Sequence, residues 1–324
     1  MGSLDEPFVR IPGFNDLVEV VVVHPDGGII VGGEFTSYQG IARQYITKLN
    51  ADGSLDTTFD SSTGFDGPVI SLAIHPDGGI IVGGFFTTYK GTPRQRIAKL
   101  NGKTAALDAT FDSASGFDNF VTTLAIHRDG GVIAGGIFTT YKGTSRQRIA
   151  KLNDNTAALD MAFDSSSGFN IFVTTLAIYP DGGVIVGGIF STYNGIPRQN
   201  IAKLNDKTAV LDTTFDTSTG FNTIVFSLAI QSNRKIVAGG QFSSYKGIPT
   251  AQSIARLYGF PLNPATGKSF SIRTTLKTTD LKVRNIFVIP LGDIPGQEPG
   301  SICLSAAGIL VRKPDGSVGT IALI

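Results

Sequence analysis

The chain has no tryptophan, one cysteine (Cys303), three histidines and four glutamates among its 324 residues. A lone cysteine excludes a disulfide framework and a cysteine-ligated zinc site. Without tryptophan, the large apolar contacts fall to the 22 phenylalanines and 8 tyrosines. Charge of one sign is missing as well: 27 lysines and arginines stand against 26 acidic residues, a net charge of +1. That balance argues against nucleic acid as a partner. No apolar run approaches the ~20 residues of a membrane-spanning helix, so no membrane insertion is expected. The N-terminal "MGSLDEPFVRIPGF" lacks the basic-then-apolar layout of a secretory leader. This leaves a chain that stays where it is made, or one whose leader has been removed.

What is abundant is glycine, at 40 residues, and it is periodic. "HPDGGIIVGGFFTTYKGTPRQRIAKLN" from His75 recurs with small changes from His24, His127 and Tyr179, and in decayed form from Gln231. The double glycine begins at Gly32, Gly83, Gly135, Gly187 and Gly239, a spacing of 51, 52, 52 and 52 residues. A period of this size signals repeat architecture. A catalytic group is usually needed once, so a feature present in every copy reads as structural or multivalent.

Each repeat divides into four β-like runs separated by turn signals, as in "VISLAI", "IIVGGFFTTY", "RIAKLN" and "LDATFD". Four short strands per ~50 residues match one blade of a propeller, whereas a β-helix rung needs about half that length. Three phenylalanine positions recur in all copies and account for 15 of the 22, enough to fill the gaps between blades. They are Phe8, Phe59, Phe111, Phe163 and Phe215; Phe14, Phe65, Phe117, Phe169 and Phe221; and Phe35, Phe86, Phe138, Phe190 and Phe242. The expected fold is all-β: a five-bladed β-propeller over residues 1–259, followed by a small C-terminal β domain over 260–324. "LDEPF" (Leu4 to Phe8) matches "LDTTF" at Leu55 to Phe59, while the fifth copy ends without this motif. The N-terminal strand is therefore expected to complete the last blade and remove its open edge. An open arc completed by a second chain is the alternative.

"LNADGSLDTTFD", "GFDGPVISLAIHPDGGIIVGG" and "RIAKLN" resemble the delta-60 repeat β-propeller family, over residues 4 to about 259. The resemblance implies a propeller, and a family met mostly as repeats in bacterial and phage-associated surface proteins. In the last copy the usual Pro-Asp-Gly turn is weakened to Ser232-Asn233-Arg234. Beyond Pro261 the period stops. Short β runs follow, with an Asp-Gly hairpin signal in "KPDGSVG" (Lys313 to Gly319). About 65 residues without disulfides or metal ligands make a marginal core, so this region is expected to bury against another copy or another protein. It is similar to attachment or trimerisation segments of phage tail proteins.

No cofactor or metal is called for. His24, His75 and His127 share one turn position with Tyr179 and Gln231, which reads as an exposed turn residue. Asp26, Asp77, Asp129 and Asp181 stand where Asx turns favour aspartate before glycine. The "FDSSTGFD" loops lack the oxygen density of a calcium loop. Glu34 breaks the repeat, its counterparts being Phe85, Ile137, Ile189 and Gln241. A glycosidase would need a second carboxylate about 5–9.5 Å away, and no partner is evident. The candidate binding set is Tyr38, Tyr89, Tyr141, Tyr193 and Tyr245 with Arg43, Arg94, Arg146 and Arg198, joined by Glu34. On one face of a propeller, such groups could stack on and hydrogen-bond to sugars. The alternative is that each tyrosine packs between blades and each arginine pairs with an aspartate.

These features and the family resemblance together point to a non-enzymatic structural and recognition protein. Its expected form is a phage tail fibre or virion component, assembled in the host cytoplasm and binding a cell-surface glycan or protein. Other virion or surface-assembly proteins would join it through the C-terminal region, and a homo-oligomer, trimer favoured, is expected. A secreted bacterial surface adhesion propeller is the alternative, and a carbohydrate-active enzyme a third.

Overall fold

A computed structural model describes residues 13–165, 167–251, 253–259, 309–312 and 318–321. All regular structure among them is β. The chain divides into two compact units, Met1–Gly259 and Phe260–Ile324.

In the first unit, β1 (Val18–Val23), β2 (Ile29–Gly33) and β5 (Ile46–Leu49) form an antiparallel sheet in that order, and β3 (Ser37–Tyr38) pairs with β4 (Ile41–Ala42). The second blade repeats this with β6 (Val69–Ile74), β7 (Ile80–Gly84) and β10 (Ile97–Leu100), plus β8 (Thr88–Tyr89) and β9 (Thr92–Pro93). The third uses β11 (Val121–Ile126), β12 (Val132–Gly136), β13 (Thr140–Tyr141), β14 (Thr144–Ser145) and β15 (Ile149–Leu152). The fourth has β16 (Phe172–Ile178), β17 (Val184–Ile189), β18 (Thr192–Tyr193), β19 (Ile196–Pro197) and β20 (Ile201–Leu204). The fifth has β21 (Val225–Ile230), β22 (Lys235–Gly240), β23 (Ser244–Tyr245), β24 (Ile248–Pro249) and β25 (Ile254–Tyr258).

A fourth edge comes from the "LDxxF" run, whose leucine bridges back onto the third strand, as in Leu49 to Leu55 and Leu100 to Leu107. The turn between the first two strands is tight because Gly78 takes φ +83°, a conformation costly for other residues. Its amide donates to the His75 carbonyl (2.9 Å). Every first strand carries a β-bulge near its start, at Glu19, Ile70, Thr122, Thr174 and Phe226.

Each blade packs on the next through its phenylalanines. Phe59 and Ile46 of the first repeat lie in one cluster with Phe65, Val69 and Phe86 of the second, all nearly or fully buried. Phe111 and Ile97 do the same with Phe117, Val121 and Phe138 of the third. Phe65 meets Phe86 at 4.1 Å between ring centroids, tilted by 37°. First strands pack in order, β1 on β6, β6 on β11, β11 on β16 and β16 on β21, whereas β21 and β1 make no comparable contact. The strand expected to complete the last blade, Leu4 to Phe8, lies outside the described residues. In the second unit, β26 (Ile309–Arg312) pairs antiparallel with β27 (Val318–Ile321), flanking the Asp-Gly of the hairpin signal. The other β runs read beyond Pro261 lie outside the described residues.

Candidate functional site

The tyrosine and arginine layer is set by the two-residue ladders. In the second blade Thr88–Tyr89 pairs with Thr92–Pro93 across Lys90 (φ +48°) and Gly91 (φ +76°). Two successive positive φ values make the primed hairpin turn that suits strand twist. Because side chains alternate across a ladder, Thr88 stays near the surface and Tyr89 turns inward, bridged to Phe65.

Four of the five tyrosines are therefore core residues, the arrangement given above as the alternative in which each packs between blades. Tyr38, Tyr89, Tyr141 and Tyr193 are at most 4% exposed, and Tyr245 is half-buried. Their hydroxyls donate to the carbonyls of Gly53 (2.8 Å), Ala105 (2.6 Å), Ala157 (2.6 Å) and Ala209 (2.7 Å). Burial raises the Tyr89, Tyr141 and Tyr193 hydroxyls well above the ordinary tyrosine range and pushes Tyr245 up to about 12.

Arg43, Arg94, Arg146 and Arg198 are likewise buried, at 7%, 6%, 3% and 5% exposure. Each donates to the carbonyl of its preceding residue, as from Arg94 to Pro93 (2.7 Å). Three face an aspartate: Asp112 (3.8 Å), Asp164 (3.4 Å) and Asp216 (4.0 Å). Glu34 is exposed just beyond β2. Its counterpart Phe85 stacks on Phe120 of the next blade at 3.9 Å, so the same position faces a neighbouring blade elsewhere.

The second layer contains residues that the sequence reading did not single out. Lys48, Lys99, Lys151 and Lys203 sit in the third strands, all at most 5% exposed. Lys99 Nζ lies 2.6 Å from Asp77 Oδ2 and 3.9 Å from Asp108 Oδ2. Its counterparts repeat the arrangement, with Lys203 3.1 Å from Asp212. The expected Asx turns are present, as in the Gly79 amide donating to Asp77 Oδ1 (2.7 Å). Burial works to raise the Asp26, Asp77 and Asp129 carboxyls. Hydrogen bonds from Lys48, Lys99 and Lys151, from turn amides and from the histidines outweigh it and hold them well below the usual carboxylate range.

The histidines are not exposed turn residues: His24, His75 and His127 are 5–6% exposed and reach the following blade. His24 Nε2 donates to the Gly78 carbonyl (2.9 Å), and His127 Nε2 lies 3.2 Å from Asp206. Tyr179 fills the slot in the fourth blade and donates to the Arg234 carbonyl (2.9 Å). Shallow hollows open beside Lys151 and Lys203, lined also by Asp129, Asp160, Asp181 and Asp212. Each of these lysines is ion-paired to the two aspartates of its own blade. Among the described residues no group of three or more histidine, cysteine, aspartate or glutamate side chains is placed to hold a metal ion.

What the ladders do display is their tips. Ile41, Ile196 and Ile248 are 47%, 45% and 69% exposed at one repeat position, with Thr92 and Thr144 between them. Beside them stand Gln39, Lys90, Lys142, Asn194 and Lys246. Lys90 is tethered to Asp60 (3.1 Å). The Ser62 amide and hydroxyl and Lys90 lower the Asp60 carboxyl to about 2.

Sequential blades built on a 52-residue repeat, the first four with a fourth edge, define a β-propeller repeat protein. The repeats match the family described as "Domain of unknown function (DUF5122) beta-propeller" over residues 24–59, 75–111, 127–155, 180–215 and 231–257, about half of the chain. The chain belongs to that family. No curated protein matches it. Among solved structures, a protein of unknown function from Bacteroides caccae is similar at 13% identity, covering 74% of this chain and 81% of that one with a TM-score of 0.43. The extracellular domain assigned to a hybrid two-component system of B. thetaiotaomicron is similar at 11% identity, covering 75% of this chain and 28% of that one, TM-score 0.47. The C-terminal WD40 domain of Sif2 is similar at 11% identity over 69% of this chain and 52% of that one, TM-score 0.45.

Proposed function

We propose that this chain is a non-enzymatic recognition and structural protein that binds a surface glycan or protein through the tips of its ladders. The observation that carries this reading is the division of labour within each repeat. The recurring tyrosines, arginines, lysines and histidines are buried in holding the blades, while the exposed tips differ from blade to blade. A contact surface needs variable apolar and polar groups side by side, and the isoleucine, lysine and asparagine tips supply them.

In its concrete form we place the chain in a phage tail fibre or related virion component. Residues 260–324 would mount it, as a homo-oligomer with a trimer favoured, on other virion proteins. The motifs shared with repeats of bacterial and phage-associated surface proteins support this form. The same motifs also fit a bacterial surface adhesion propeller, and the genes beside its own separate the two: tail and baseplate genes support the virion.

Binding of the labelled full chain to bacterial surface glycans and to intact cells tests the core of the reading. Saturable binding is expected, lost in I41D/I196D/I248D at unchanged melting temperature. Full binding by that variant, or cleavage of any glycan on the array, would sink the proposal.

A further inference from the structure

The four internal blade interfaces share one design, and among the described residues both ends of the blade series carry an unused half of it. In the design, the first glycine of each second strand receives the first strand of the following blade. A Cβ placed on Gly32, Gly83, Gly135 or Gly187 would lie 2.5, 2.7, 2.6 and 2.9 Å from a methyl of Val69, Val121, Val173 and Val225. Those valines are fully buried. Around them, Ile46, Ile97, Ile149 and Ile201 of the preceding blade's third strand are also fully buried.

At the fifth blade the receiving half is open among the described residues. Near Gly239, the only described atoms within 4 Å of an added Cβ belong to Ser227 and Ser253 of its own blade. Ile254, the counterpart of the four buried isoleucines, is 53% exposed, and Phe226 at the bulge is 50% exposed. In the two preceding blades that bulge position holds Thr122 and Thr174, which hydrogen-bond across the interface to the carbonyls of Val173 (2.7 Å) and Val225 (2.5 Å).

At the first blade the inserting half is open. Val18 and Val21 are 41% and 55% exposed, whereas their counterparts Val69 and Leu72 are 0% and 6% exposed.

The polar layer is continued too. Lys48, Lys99 and Lys151 each reach across to the carbonyl of Gly102, Asp154 or Asp206 in the next blade's third turn. The fifth blade carries exposed Arg256 at that position, and the first blade carries Ala51 at the matching turn.

We propose that the fifth blade of one molecule receives the first blade of a second copy, head to tail. Val18 and Val21 of one copy seat on Gly239, Ile254 and Phe226 of the other, and Arg256 donates to the Ala51 carbonyl. The partner is a second copy because the two halves are complementary to each other by repeat descent and extend an interface the chain already builds within itself. A heterologous contact of this kind joins copies in series, closing into a ring or growing according to the rotation between them. The proposed contact uses residues of the first unit alone and does not depend on the glycan reading.

Analytical ultracentrifugation of the full chain over a hundredfold concentration range tests it. Wild type is expected to gain mass with concentration. V18D/V21D removes the inserting half and I254D the receiving half. Both positions are exposed in the isolated chain, so each variant keeps its fold at low concentration by circular dichroism. Each variant alone is expected to lose this concentration-dependent association by at least tenfold, and an equimolar mixture of the two to regain it through the intact halves. A wild type whose mass stays constant throughout overturns the proposal, as does an association that neither variant weakens. A mixture that fails to pair also overturns it.

Discussion

His75 of the second blade places its Nε2 3.3 Å from Asp154 Oδ2 in the third-turn segment of the third blade, 79 residues further along the chain. On its other side Nδ1 is 2.8 Å from Asp77, which in turn holds Lys99. The histidine thus ties a within-blade ion cluster to the neighbouring blade.

Removing the buried cation of this cluster should cost more than removing its partly exposed partners. Lys99 is nearly fully buried between two carboxylates. Breaking a buried pair costs roughly 3–5 kcal/mol, reduced here because solvent screens the half-exposed Asp77. K99M is expected to lose about 2–3 kcal/mol in urea unfolding, and D77N less. Equal losses in both variants would contradict this order.

Acid should destabilise the blades through the same aspartates. Their folded pKa values lie below the unfolded value of about 3.9, so their contribution is present above that pH. It is lost as pH falls through the depressed folded values. The melting temperature should change little between pH 5 and 7 on their account and fall steadily below about pH 4. D26N/D77N/D129N should flatten that acid slope in a thermal scan.

Tyr141→Phe tests whether the tyrosine layer is structural. Its hydroxyl is buried with a single carbonyl partner at 2.6 Å. Loss of that bond, leaving the Ala157 carbonyl unpaired, should cost about 1–2 kcal/mol, read as a melting shift of a few degrees. Glycan or cell binding by Y141F should match wild type, because the ring lies beneath the surface.

The interface glycines should differ by position. Gly187→Ala forces a methyl against Val225 and Thr175 and is expected to cost about 1–3 kcal/mol by overpacking. Gly239→Ala meets only one serine side chain at close range and should stay within about 0.5 kcal/mol of wild type at low concentration. Chemical unfolding of the two variants side by side checks the contrast.

The repeat, its four edges, the phenylalanine packing and the Asx turns were legible because each rests on local chemistry that recurs at fixed spacing. The inward tyrosines were half legible. "TTYKGT" marks a turn, but which ladder face is buried depends on Phe65 and its counterparts, 24 residues away in the chain. The histidines were misread because their partners, Gly78, Asp154 and Asp206, belong to other blades. A recurring lysine inside the apolar "IAKL" strand was the missed signal, since a buried cation there needs carboxylates within reach to hold it.

Packing between successive blades, as the described residues show it, has a consequence for how the protein comes apart. Each blade's stability is then its own plus what its immediate neighbours add, as in other one-dimensional arrays. The end blades, with one neighbour apiece among the described residues, open first and the third opens last. Amide exchange in isolated chains should therefore slow from both ends towards β11 and β12, and an end-to-end partner would shift that gradient by protecting β1 and β22. Wear at the ends and assembly at the ends are two readings of one missing neighbour.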